Sequence, residues 1–150
     1  MRYLLDSDVV TDLYDKSAAS HPRIAVRLAS LDDADEVCIS ILTIYEFEYG
    51  LANAPDDKKE AVEKKIVEAQ RDFEVVPLSV DGARRFGALK KALRDRRSLT
   101  QEGIKKHNID LVIAATALVE GCALVSSDAV YEEFRESHPH LVLENWIEDR

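Results

Sequence analysis

Apolar residues run along this chain in short blocks, and several blocks stop abruptly on acidic or hydroxyl residues. The first is Tyr3, Leu4 and Leu5, which ends on Asp6-Ser7-Asp8; Val9, Val10, Leu13 and Tyr14 then recur at helical spacing. The pattern predicts a strand over residues 2–5 running straight into a helix that Asp6 or Ser7 caps. Pro22 suits the first turn of a second helix over residues 23–30. EVCIS, residues 36–40, is rich in β-branched residues and predicts a second strand. Over residues 41–54, Leu42, Tyr45, Tyr49 and Ala52 form one stripe at helical spacing, and Thr43 with Glu46 has the spacing of a capping box. A helix over residues 57–73, with Ala61, Ile66, Ala69 and Phe73 inward, completes an antiparallel hairpin.

The second half repeats the alternation. Residues 74–78 predict a short strand stopped by Pro77, and Ser79 caps a long helix over residues 80–97 with Phe86, Leu89 and Leu93 inside. Residues 98–107 read as a loop around Gly103. Asn108-Ile109-Asp110 opens an apolar helix over residues 111–120 that Gly121 closes. Residues 123–126 predict a buried strand broken at Ser127-Asp128. A helix over 129–136, a turn at His138-Pro139-His140 and a last strand over 141–143 follow. Strands alternating with helices imply one α/β domain over residues 1–150, a parallel sheet of about four to five strands with helices on both faces.

Composition narrows the class. The 150 residues, 46% hydrophobic and 33% charged, suffice for one domain with a proper core. No apolar run reaches the ~18–20 residues of a membrane span, and no signal-peptide pattern opens the chain, so a cytoplasmic protein is expected. Cys38 and Cys122 lack metal-site spacing and read as buried, reduced packing residues. His138 and His140 read as residues of a solvent loop. The net charge of −9 argues against a polyanionic partner, but residues 84–107 hold nine Lys or Arg against two acids, Asp95 and Glu102. That run is either a solvated helix face or a local anion-binding surface.

Residues just past parallel strand ends share one edge, where ligands bind in open α/β sheets. Asp6, Glu46, Asp110 and Asp128 each fall at or near such a position. Four converging carboxylates would raise one another's pKa, and a hard divalent cation is their natural counter-charge. An all-oxygen set favours Mg²⁺ or Mn²⁺ over Zn²⁺ and suits phosphodiester hydrolysis without a protein nucleophile.

The segments LLDSDVV at 4–10, SILTIYEFEYG at 40–50, NIDLVIAATAL at 108–118 and LVSSDAVYEEF at 124–134 resemble, in order and spacing, PIN-domain proteins of the VapC-like toxin ribonuclease family. The resemblance covers essentially the whole chain. It matches Asp6, Glu46, Asp110 and Asp128 to the family's acidic quartet and Ser126 to the hydroxyl residue two places before the fourth acid. Ser7 takes a position that is usually Thr, and Asp8 stands where the family often has Asn. The resemblance implies a PIN-like fold and a Mg²⁺- or Mn²⁺-dependent endoribonuclease, with Asp6, Asp110 and Asp128 as metal ligands. Glu46 would bind metal or orient water, and Ser126 would support a ligand or a phosphate. It also implies an RNA substrate, a cognate antitoxin and a homodimer. Arg84, Arg85, Lys90, Lys91, Arg94, Arg96, Arg97, Lys105 and Lys106 are then candidates for holding RNA phosphates.

Two rival readings use some of the same residues. Asp6-x-Asp8 after a strand, with Ser40 ending the next, resembles haloacid-dehalogenase-like phosphatases, in which Asp6 would be the nucleophile and Asp8 the general acid. That reading leaves Glu46 and Asp110 without a task. A catalytically inactive PIN-like module that binds RNA or protein is the other.

Overall fold

The computed structural model describes residues 1–148. Strands β1 (Arg2–Leu5), β2 (Glu36–Ser40), β3 (Glu74–Val76), β4 (Ala123–Val125) and β5 (Val142–Glu144) form one sheet in the order β3-β2-β1-β4-β5. Every pairing is parallel, with Leu4 opposite Cys38 on one side and Leu124 on the other. Among the described residues eight helices connect them: α1 (Ser7–Leu13), α2 (His21–Ala29), α3 (Ile41–Asn53), α4 (Asp56–Asp72), α5 (Val80–Arg97), α6 (Gln101–Lys105), α7 (Asn108–Glu120) and α8 (Val130–Ser137).

The central strand β1 explains the two layers of helix. Successive side chains of a strand point to opposite faces. Leu4 joins one core with Leu89, Leu93, Ile104, Leu111, Ile113 and Phe134, from α5 to α8. Tyr3 and Leu5 join the other with Val9, Val10, Ile24, Phe47 and Ile66, from α1 to α4. A strand buried on both faces needs an unbroken apolar run, and YLL supplies it. Leu4 and Leu5 are fully buried, and each such burial contributes about 1.5–3 kcal/mol.

Four local expectations differ from the structure. Residues 98–107 are not all loop, because Thr100 accepts a hydrogen bond from Gly103 N and caps α6, whose Ile104 is anchored in the core. In α3 the buried residues are Thr43, Ile44 and Phe47, whereas Tyr45 and Tyr49 are 67% and 74% exposed. The helix is apolar around most of its circumference, so two phases fit its sequence and packing chooses between them. Thr43 and Glu46 form no capping box, because α3 starts earlier: Ser40 is the N-cap and accepts from Leu42 N. Ala61 is exposed on α4, where Ile66 and Ala69 are the buried contacts. The C-cap Gly121 does sit in the left-handed region, at φ +66°, where a side chain would be strained.

Cys38 and Cys122 are free and buried as expected, with their sulfurs 3.9 Å apart. No helix among the described residues is long and apolar enough to cross a membrane.

Candidate active site

The carboxyl ends of β1, β2 and β4 form the edge on which the acids meet. Backbone hydrogen bonds carry the ladder one residue further, from Asp6 N to Val125 O at 2.9 Å and from Ser126 N to Glu144 O at 3.0 Å. Asp6 is thereby held beside the end of β4, and its side chain caps α1 by accepting from Ser7 N at 3.0 Å. Capping and placement at this edge, alternatives in the sequence, coexist in one carboxylate. Helix α7 runs opposite to the strands and delivers the chain to the start of β4, so its own start lies at the same edge. Asp110 sits there in the first turn; His107 is the N-cap, and the Asp110 side chain makes no cap hydrogen bond.

Hydroxyl groups connect the acids. Ser126 Oγ donates to Asp6 Oδ2 at 2.8 Å and accepts from Asp128 N at 3.1 Å. Asp128 in turn accepts from Val130 N at 2.9 Å, which fixes the start of α8. The Tyr131 hydroxyl, one turn on, lies 3.5 Å from Asp6 Oδ1 and 3.4 Å from Asp110 Oδ1. Those two oxygens are therefore no farther apart than the two distances combined. Across the edge, Ser7 Oγ donates to Glu46 Oε1 at 2.9 Å and lies 3.1 Å from Thr43 Oγ1. Glu46 itself is exposed, and α3 starts directly at the end of β2, so Glu46 in its second turn overhangs the site.

The electrostatics are those of crowded carboxylates. Burial pushes Asp6 up to about 6, with Asp8 and Glu46 adding to the rise and the hydrogen bonds from Ser126 and Ser7 opposing it. Burial also raises Asp110 to about 6, helped by the charges of Asp128 and Asp6. Among the described residues no Lys or Arg forms an ion pair with Asp6, Glu46, Asp110 or Asp128. Nor is any group of three or more His, Cys, Asp or Glu among them arranged around a single metal position. The donor chemistry nevertheless fits a hard divalent cation, because the buried Asp6 and the half-buried Asp110 carry charge of one sign that no Lys or Arg among the described residues offsets.

The basic run divides into paired and unpaired residues. Arg96 and Arg97 pair with Glu136 and Glu133 of α8, and Arg97 also donates to His107 Nε2 at 3.2 Å. Lys91 and Arg94 share Asp95, and Lys105 pairs with Glu102. Arg84, Arg85, Lys90 and Lys106 form no ion pair among the described residues; the Lys90 ammonium lies 5.3 Å from the centre of the Phe86 ring. At the C-terminal end of α5, Arg97 reaches His107, the N-cap of the helix that carries Asp110, whereas Arg84 lies thirteen residues before Arg97, about 20 Å back along the helix.

Two features bear on what the sequence left open. Tyr131, which no sequence motif singles out, is 1% exposed and packs against Phe134. Ser40, the proposed phosphatase hydroxyl, is fully buried and occupied in capping α3, and Asp8 is exposed.

Comparison with known proteins matches this fold. A curated relative, Ribonuclease VapC2 of Rickettsia felis, is 29% identical over 97% of this chain and 98% of its own length. Among solved structures, VapBC-1 from nontypeable Haemophilus influenzae aligns with TM-score 0.77 and 22% identity over 99% of this chain and 100% of that one. VapBC2 from Rickettsia felis, bound to a DNA fragment from their promoter, aligns with TM-score 0.73 and 23% identity over 97% and 99%. A family description, PIN domain, matches residues 3–136, a span that starts in β1 and ends in α8 and so takes in all four acids. By that match, and with the acids its parallel sheet brings to one edge, the chain belongs to the PIN-domain family.

Proposed function

We propose that this protein is a metal-dependent endoribonuclease and the toxin of a toxin–antitoxin pair. The observation that carries the reading is the Asp6–Tyr131–Asp110 contact at the carboxyl edge of the sheet, where burial raises two facing carboxyl groups to about 6 and no Lys or Arg among the described residues pairs with either. The relative named Ribonuclease VapC2 supports the activity, and the paired name VapBC on the two solved neighbours supports a protein partner.

In this reading Asp6, Asp110 and Asp128 hold Mg²⁺ or Mn²⁺. When bound, such an ion offsets charge on the phosphoryl oxygens and acidifies a water. Glu46, held from one side by Ser7 Oγ, has its other oxygen available to orient the attacking water and accept its proton at Oε2. Ser126 keeps Asp6 and the start of α8 in fixed relation through its two hydrogen bonds. Lys105 and Lys106 lie at the end of α6, next to the start of α7, and with the α5 cations Arg84, Arg85, Lys90, Lys91, Arg94, Arg96 and Arg97 they hold the RNA backbone. Arg96 and Arg97 are the weakest of these candidates, because α8 already uses their charge. A cognate antitoxin and a second copy of the chain are the protein partners, and the site of action is the cytoplasm.

The test is cleavage of a pooled RNA substrate with Mg²⁺ or Mn²⁺ by the wild type and by folded Asp110→Asn. The wild type should cut, EDTA should stop it, and the variant should be inactive while still binding RNA. Equal cleavage by the variant would remove Asp110 from the site and with it the proposed ligand set.

A further inference from the structure

Asp6 and Asp110 are held very unequally. Asp6 accepts from Ser7 N on Oδ1 and from Ser126 Oγ on Oδ2, so both oxygens are fixed without help. Asp110 has one hydrogen-bond partner among the described residues, the Tyr131 hydroxyl. The phenol, in contrast, is placed by its surroundings. Its ring is buried, packs edge-on against Phe134 at 5.6 Å and 84°, and sits one turn after Asp128 on a helix whose start Asp128 fixes. A hydroxyl has one hydrogen to give. At 3.5 and 3.4 Å from two carboxylate oxygens it makes neither bond short, as expected when core packing, not hydrogen bonding, sets its position. It stands as a fixed polar post between two acids of like charge.

Resting on the metal-dependent reading above, we propose that Tyr131 is a positioning residue for the metal site, its buried hydroxyl orienting the otherwise untethered Asp110 carboxylate against Asp6. Groups that orient metal ligands typically govern metal affinity by about 10–100-fold. A phenylalanine at this position would pack the same volume and leave Asp110 without a hydrogen-bond partner.

The probe is Mn²⁺ alone, titrated into the wild type, Tyr131→Phe, Val130→Ala and Asp110→Asn, with free ion read by electron paramagnetic resonance. Thermal melts in EDTA confirm folding. Tyr131→Phe should stay folded and bind Mn²⁺ about tenfold more weakly, whereas Val130→Ala, which loosens the same helix but keeps both the hydroxyl and the Phe134 ring that packs against it, should bind as the wild type does. Wild-type affinity in Tyr131→Phe, or an equal loss in Val130→Ala, overturns the inference and leaves the metal site standing. No binding by the wild type, or undiminished binding by Asp110→Asn, overturns both.

Discussion

Asp110→Asn tests the electrostatic account before any RNA is added. The carboxyl is raised from 3.8 to about 6, so in the metal-free protein it holds its proton more tightly folded than unfolded. Stability it contributes below pH 4 is lost as pH rises toward 6, and at pH 7.5 the ionised group costs the fold its full share. Two pKa units correspond to about 3 kcal/mol. Asp110 is only half-buried, so solvent screening leaves roughly 1.5 kcal/mol of this. A negative charge in the first turn of α7 also favours the helix by about 0.5 kcal/mol, which asparagine forfeits. The net expectation is that Asp110→Asn is more stable in EDTA at pH 7.5 by about 1 kcal/mol, or ~2–4 °C in Tm for a chain of this size. That gain should shrink to a few tenths of a kcal/mol near pH 4. Mn²⁺ should invert the order, since an ion at a hundred times its Kd adds about 2.7 kcal/mol to the protein that binds it. Melting curves at both pH values, with EDTA and with Mn²⁺, check each limb. A variant that melts lower than the wild type in EDTA at pH 7.5, or gains as much from Mn²⁺, refutes the reasoning.

Three further outcomes follow from particular contacts. Glu46→Gln keeps an oxygen for Ser7 and changes an exposed side chain, so its melting should match the wild type while RNA cleavage falls about a hundredfold, the scale of a lost general base; near-wild-type rates would assign Glu46 to solvent. Reversing Lys105 and Lys106 together should flatten the salt dependence of RNA binding by about 1.4 units in log–log slope if each meets one phosphate of a single strand. This pair is a cleaner probe than Arg96 and Arg97, whose reversal would also break the α5–α8 contacts. Ser98, the C-cap of α5, adopts φ +53°, so Ser98→Gly should raise stability by about 1 kcal/mol in denaturant titrations.

The sequence carried the fold wherever structure is local. A buried strand stopped by an acid is visible at residues 2–8, and the same alternation announces β2 and β4. That the four acids lie toward one edge is legible because parallel strand ends share an edge whatever the loops do. Other features depend on partners remote in sequence. Tyr131 meets Asp110 across 21 residues and Asp6 across 125, and no spacing rule connects them. Arg97 finds Glu133 36 residues away, so a charge run that reads as free proves partly spent on holding two helices together. Helix α6 is not legible because five residues are too few to show a period; a cap and one buried isoleucine sustain it. The phase of α3 is ambiguous in the sequence because periodicity alone cannot rank two apolar faces.

The central position of β1 has a consequence for a chain still on the ribosome. Asp6 is made well before the strand that completes its neighbourhood, β4, and before two of the groups that contact its side chain, Ser126 and Tyr131, which follow 120 and 125 residues later. A nascent polypeptide can pair β1 with β2 early, but the flank of β1 that β4 covers stays open, and the Asp6 carboxylate lacks these partners, until residues 123–131 are made. Synthesis therefore withholds the edge that brings Asp6, Asp110 and Asp128 together until β4 and the start of α8 have been made.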